Sequence, residues 1–202
     1  MTYLVSIDTK SVNGLEVGKK LLGVDEFLNG DHTTTFIKTE LGQTIDLQYD
    51  VYSPRPYDRR YQLTGTKGFA SKYPISGYTF TEGMLKEGVV PEGAKVNPHG
   101  FASQDIMAAA MDAYKHPIHQ EIEEVAKKVG GHGGMDFVMD YRLIYCLQNG
   151  LPLDQDVYDA AEWSCITHLS SVSLKHNSVP VAIPDFTRGD WNKLDGVTFH
   201  MK

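Results

Sequence analysis

"TIDLQYDV" (residues 44–51) alternates without a break. Ile45, Leu47, Tyr49 and Val51 fall on one side of an extended chain, and Thr44, Asp46, Gln48 and Asp50 fall on the other. Period two is the strand period. One apolar side and one polar side predict an antiparallel sheet that is covered on one face only. The neighbouring stretches agree. "YLVSI" (3–7) is short and apolar, and "TTTFIKT" (33–39) carries the β-branched residues that suit a pleated surface. "YQLTG" (61–65) and "GFASK" (68–72) flank a Gly-Thr-Lys-Gly turn and read as a hairpin. Between the first two strands, Ser11 or Asn13 is expected to cap a helix that runs through Leu21 and Leu22.

The second half changes period. "SQDIMAAAMDAY" (103–114) opens on a serine cap. "PIHQEIEEVAKKV" (117–129) opens on proline, and its buried stripe is expected at Ile118, Ile122, Val125 and Val129, with Gly130 ending the helix. "MDFVMDYRLIYCLQ" (135–148) reads as a buried helix, and "DQDVYDAAEWSCITHLSSVS" (154–173) as another with acidic residues at its start. Residues 73–100 read as a long loop, and "IPDFTRGDW" (183–191) as a turn-rich tail on the surface. Strands first and helices later give an α+β fold: an open, mostly antiparallel sheet with helices packed on one face.

Composition narrows the function. A net charge of −7 over 202 residues, with no Lys/Arg run, argues against nucleic acid and anionic membranes as partners. No apolar run is long enough to span a bilayer. Two cysteines, Cys146 and Cys165, are too few for a disulfide scaffold or a four-thiolate zinc site. His116 and His119, three apart, and His132 and Asp136, four apart, could each share a helix face. No compact set of three or four ligands accompanies them, so no metal is expected. There is no Walker loop and no Gly-x-Gly-x-x-Gly after a strand, so the chain by itself carries no recognisable nucleotide site.

Two stretches stand out. In "SPRPYDRR" (53–60), Pro54 and Pro56 stiffen the chain just after the best strand and project Arg55, Tyr57, Arg59 and Arg60. These suit a ligand with carboxylates or polar sugar groups, or a structural corner in which the arginines pair with Asp50 and Asp58. "GGHGGMDF" (130–137) surrounds His132 with glycines between two helices. Its amides stand at a helix start, where an anion is one candidate occupant.

"SPRPY", "GTKG", "GGHGGMDFVMDYRLIYCLQNGLPLDQDVYDAAEWS" and "IPDFTRGDW", in that order, resemble the C-terminal part of glycoside hydrolase family 109, within the Gfo/Idh/MocA superfamily. The resemblance covers most of residues 30–191 and is densest over 130–191. It implies the same α+β domain, residues 1–202 as one substrate-side unit, preceded in the parent by an NAD-binding Rossmann domain that this chain lacks. The implied activity is an NAD-dependent α-N-acetylgalactosaminidase. In that scheme NAD⁺ oxidises the sugar at C3, a base removes the C2 proton, the aglycone leaves, water adds, and the hydride returns.

By that resemblance Tyr57 contacts the sugar, with Arg55 as a neighbouring contact. His132 either lines the sugar pocket or orders the helix junction. The family's Tyr-Pro-Thr-His segment, which supplies the catalytic histidine, is not in this chain, so no catalytic residue is assigned. The isolated domain is expected to be inactive and to hold no NAD. Expected partners are a carbohydrate, the Rossmann domain and a second copy through the open sheet face. The family's setting points to a periplasmic or exported parent. Rival readings are a sugar oxidoreductase of the same superfamily and a non-catalytic self-association domain.

Overall fold

The structure, a computed structural model, describes residues 1–193. The chain divides into two compact units, one of residues 1–55 with the described part of Pro152–Val197, the other of Pro56–Leu151. Helices and antiparallel sheets are both present, and the α+β expectation holds.

The first unit contains β1 (Tyr3–Asp8), α1 (Asn13–Leu22), β2 (His32–Lys38), β3 (Thr44–Asp50), a long helix (Val157–Lys175) and a two-residue strand (Val181–Ala182). In chain order the last two are α5 and β7. The four strands form one sheet in the order β3-β2-β1-β7, with every neighbour antiparallel. Leu4 lies opposite Ile37 and Ile37 opposite Ile45, so these share a face. α5 packs on that face over β1: Leu4, Ile37 and Ile183 are buried against Cys165, Ile166 and Leu169. Burial of Cys165 raises its thiol above the usual range.

The alternation of 44–51 places its side chains correctly but not their burial. Ile45, Leu47 and Tyr49 point to the α5 side. The helix lies over β1, while β3 is the outer edge of the sheet, so all three are exposed, Tyr49 by 60%. Val51, beyond the strand end, is exposed as well.

The start of α1 also differs from expectation. Val12 is the cap position, and neither Ser11 nor Asn13 caps the helix with its side chain. Asp31 does so from a distance. Its carboxylate accepts from the amides of Val12 at 3.1 Å, Asn13 at 2.9 Å and Gly14 at 2.8 Å. These are the orphan donors of a helix start. The bond from Gly14, followed by those from Asn13 and Val12, holds the Asp31 carboxyl below its ordinary value against the opposing effect of burial.

The second unit contains β4 (Gln62–Thr64), β5 (Gly68–Ser71), β6 (Gly77–Phe80), α2 (Gln104–Ala113), α3 (Pro117–Val129), a 3₁₀ turn (His132–Gly134) and α4 (Met135–Asn149). β4, β5 and β6 form an antiparallel meander. The stretch 73–100 is therefore more than a loop: it contains β6, and Leu85, Val89, Val90 and Val96 pack with Phe80, Ile106 and Ala110 of β6 and α2. Ser103 caps α2 as expected, accepting from the Ile106 amide. The buried stripe of α3 is Ile118, Ile122 and Ala126, at strict i, i+4 spacing, while Val125 and Val129 are exposed. α4 is not a buried helix here: Cys146 is buried, but Met135, Met139, Ile144 and Leu147 are exposed. No described helix is long and apolar enough to cross a membrane.

Two measurements test this account. Ser173→Ala removes a buried hydroxyl that serves both the Ser6 amide and the Val179 carbonyl. It is expected to destabilise the chain by about 1–3 kcal/mol in urea unfolding, the cost of stranding buried polar groups. Asp31→Asn weakens three amide bonds to α1. A group whose carboxyl lies low in the folded state contributes fully above its ordinary value of 3.8 and loses that contribution as pH falls through the lowered one. The variant therefore melts a few degrees lower at neutral pH, and the gap to the wild type closes in acid below about pH 4.

Candidate functional site

Asp50 ends β3 and organises the turn that follows. Its carboxylate accepts from the Ser53 amide at 3.0 Å, faces His32 Nδ1 at 3.2 Å and pairs with Arg55 at 3.6 Å. Burial pushes this carboxyl up, but the bonds from Ser53, His32 and Tyr52 outweigh it and leave it lowered. Arg55 is thus held by an ion pair, as the structural-corner reading expected, and its guanidinium is still partly exposed at 38%.

Arg55 closes the first unit and Tyr57 belongs to the second. Tyr57 is 68% exposed. Its hydroxyl accepts from Arg59 Nε, and the Arg59 guanidinium carbon stands 5.5 Å from the centre of its ring. The bonds to Tyr57, and then to Tyr61, raise the Arg59 guanidinium further above its ordinary value. The Tyr57 ring meets Tyr73 edge-on at 5.8 Å. A rigid phenol is therefore displayed to solvent with its hydroxyl oriented by a cation. The predicted pairing of Asp58 with the arginines takes a different form: Asp58 accepts from the backbone amide of Arg60.

The glycine run forms the junction of α3 and α4. The Gly131 carbonyl accepts from the Gly134 amide at 2.9 Å, closing the turn. Gly134 is at φ 99°, and a Cβ there would stand 2.8 Å from the backbone of Ala126. A Cβ on Gly131 would stand 2.8 Å from the Asp136 carboxylate. That carboxylate is bonded to His132 Nδ1 at 2.9 Å. The i, i+4 pair noticed in the sequence is therefore a His–Asp dyad, and it places a carboxylate in the first turn of α4. A carboxylate already in the first turn of α4 disfavours a further anion at this helix start. Among the described residues no three groups of metal-binding type converge.

His132 lines a pocket of about 320 Å³ with His119, Glu123, Lys127 and Met139, and Tyr57 is not among its walls. Glu123 bridges Lys115 and Lys127, and those two bonds hold its carboxyl down to about 2. His116, weighed as a ligand, is instead the cap of α3, its Nδ1 accepting from the Ile118 amide at 3.2 Å. A larger cavity of about 650 Å³ lies between β6 and the α2–α3 corner, walled by Tyr78, Phe80, Met84, Met111 and Tyr114. Sequence reading found neither pocket, because their walls come from segments that show no shared local pattern.

A family model described as "Glycosyl hydrolase 109, C-terminal domain" matches residues 10–193. The chain is 56% identical over 198 residues to Glycosyl hydrolase family 109 protein 1 of Phocaeicola vulgatus, covering 97% of this chain and 42% of that protein. It is 58% identical to the protein of the same name from Bacteroides fragilis, covering 97% of this chain and 43% of the relative. The Glycosyl hydrolase family 109 protein of Porphyromonas gingivalis is 54% identical over 198 residues, with 97% and 42% covered. The chain spans less than half the length of these relatives. On this match the chain belongs to glycosyl hydrolase family 109, as the family's C-terminal domain.

Proposed function

We propose that this chain is the substrate-side domain of an NAD-dependent glycosidase acting on α-N-acetylgalactosaminides. Tyr57 contacts the sugar, and His132 offers a further polar contact within the same unit. The exposed Tyr57 phenol carries the reading. Its hydroxyl is oriented by Arg59 and its ring is backed by Tyr73, so it offers a flat apolar face with a polar rim in a domain of a glycosyl hydrolase family. Arg55, in the other unit, is paired with Asp50 and is left out of this site. His132 has Nδ1 engaged by Asp136, which leaves Nε2 for a hydroxyl.

The residues of this chain do not fit NAD. Both sheets are antiparallel, and among the described residues there is no strand–helix–strand crossover whose helix start would take a pyrophosphate. The cofactor is accordingly assigned to the part of the longer protein outside this chain, where it supplies the redox chemistry. This domain binds and orients the sugar.

A second reading has its own observation. The sheet face opposite α5 exposes Tyr3, Ile7 and Phe36, with Asp46 and Gln48 at its edge. An apolar strip with a polar margin suits association with a second copy. The expected interface is thus apolar at its centre.

In a longer family protein carrying this domain, an α-N-acetylgalactosaminide is cleaved with no net NADH release. Tyr57→Ala lowers kcat/KM by about tenfold or more. Unchanged kinetics would remove Tyr57 from the site, and stoichiometric NADH would make the protein a dehydrogenase. For association, light scattering on this chain is expected to give a dimer that Phe36→Asp dissociates, whereas a monomer at every concentration contradicts the sheet-face reading.

A further inference from the structure

We infer that Tyr57, Tyr73 and Tyr61 form one aromatic platform that takes a second sugar unit beyond the terminal residue. This rests on the reading of Tyr57 as a sugar contact. Tyr73 stands between the other two rings, 5.8 Å from Tyr57 and 6.3 Å from Tyr61, edge-on to the first and steeply inclined to the second. The arrangement is built into the meander. The Lys72 amide donates to the Tyr61 carbonyl at 2.9 Å, and the Ser71 hydroxyl donates to the Tyr73 carbonyl at 3.1 Å. Both bonds fix the two tyrosines at adjoining ends of β4 and β5.

Arg59 Nε donates to the Tyr57 hydroxyl. Lys72 Nζ lies 5.8 Å from the Tyr73 ring centre.

These rings do not serve a core. Tyr57 and Tyr61 are 68% and 57% exposed, and neither packs in the buried cluster of this unit. Exposed aromatic area adds little to folding stability, and a contiguous exposed patch marks a binding surface. Phenol faces stack on the C–H side of a pyranose, and their hydroxyls and the two cations reach its oxygens. Tyr57 takes the terminal residue, and Tyr61 takes the next.

The test is a titration of the 202-residue chain, followed by amide NMR shifts. The probes are methyl N-acetyl-α-galactosaminide and a trisaccharide that ends in the same residue. The trisaccharide is expected to bind about fivefold more tightly. Tyr61→Leu abolishes that gain and leaves the monosaccharide unchanged, while Tyr73→Phe, which keeps the ring, retains the gain. Tyr57→Ala weakens both probes. Equal binding of the two probes, or a gain that survives Tyr61→Leu, overturns the platform and leaves the Tyr57 site intact. A gain that depends on Tyr61 with no dependence on Tyr57 overturns the proposed site instead. No shift with either probe at about 10 mM overturns both.

Discussion

The hydroxyl of Ser173 holds the first unit together. β7 pairs with β1 over two residues only, Ala182 with Tyr3 and Val181 with Leu4. Continuing that register would set Val179 opposite Ser6. The direct rung is missing there. Ser173 Oγ stands in its place, accepting from the Ser6 amide at 3.0 Å and donating to the Val179 carbonyl at 2.8 Å. Ser6 and Ser173 are both fully buried, so leaving these groups unpaired would be costly. Ser6 Oγ then bonds Thr35 Oγ1 at 2.8 Å and carries the same polar line across to β2. One helix residue thereby completes a sheet that its own strand is too short to complete.

That bond also explains what the sheet leaves bare. α5 must pass close over β1 to present Ser173, and its apolar residues then cover Leu4, Ile37 and Ile183. A single helix roughly 10 Å wide cannot also cover an edge strand two positions away. Ile45, Leu47 and Tyr49 keep the pattern of a buried face without the cover. The groove between Leu47 and Tyr49 on one side and Ile166 and Leu174 of α5 on the other has a volume of about 350 Å³.

Sequence alternation reports which way side chains point, and at β3 it reported that correctly. Whether anything lies on top is a tertiary fact that period two does not encode. The same limit appears in α3, where Ala126 takes the buried place expected for Val125, because close packing at a helix junction favours the small residue. The Asp31 cap was illegible for another reason: its partner amides lie 17 to 19 residues away, beyond any local capping motif. Ser103 and Asp156 cap their own helices from the adjoining position, which is the arrangement such motifs describe. At the candidate site, Tyr57 was visible through its stiff Pro-flanked segment. Its partners were not: Tyr73 reaches it only because the meander folds back.

The glycine loop shows how fold and chemistry separate at a single residue. Gly134 is needed for the close approach to Ala126, and Gly131 leaves room for the Asp136 carboxylate. These are demands of the junction. Asp136 would favour the start of α4 whatever stood at 132, since a carboxylate complements a helix N-terminus. His132 itself sits at φ 47°, where glycine or asparagine would be easier, and its side chain is 77% exposed. The backbone conformation alone therefore gives no reason for histidine at this position. What histidine adds is an imidazole whose tautomer is fixed by Asp136 and whose second nitrogen is turned outward. That bond ties the loop to the first turn of α4, and the proposed role toward a sugar would use the exposed side of the same ring.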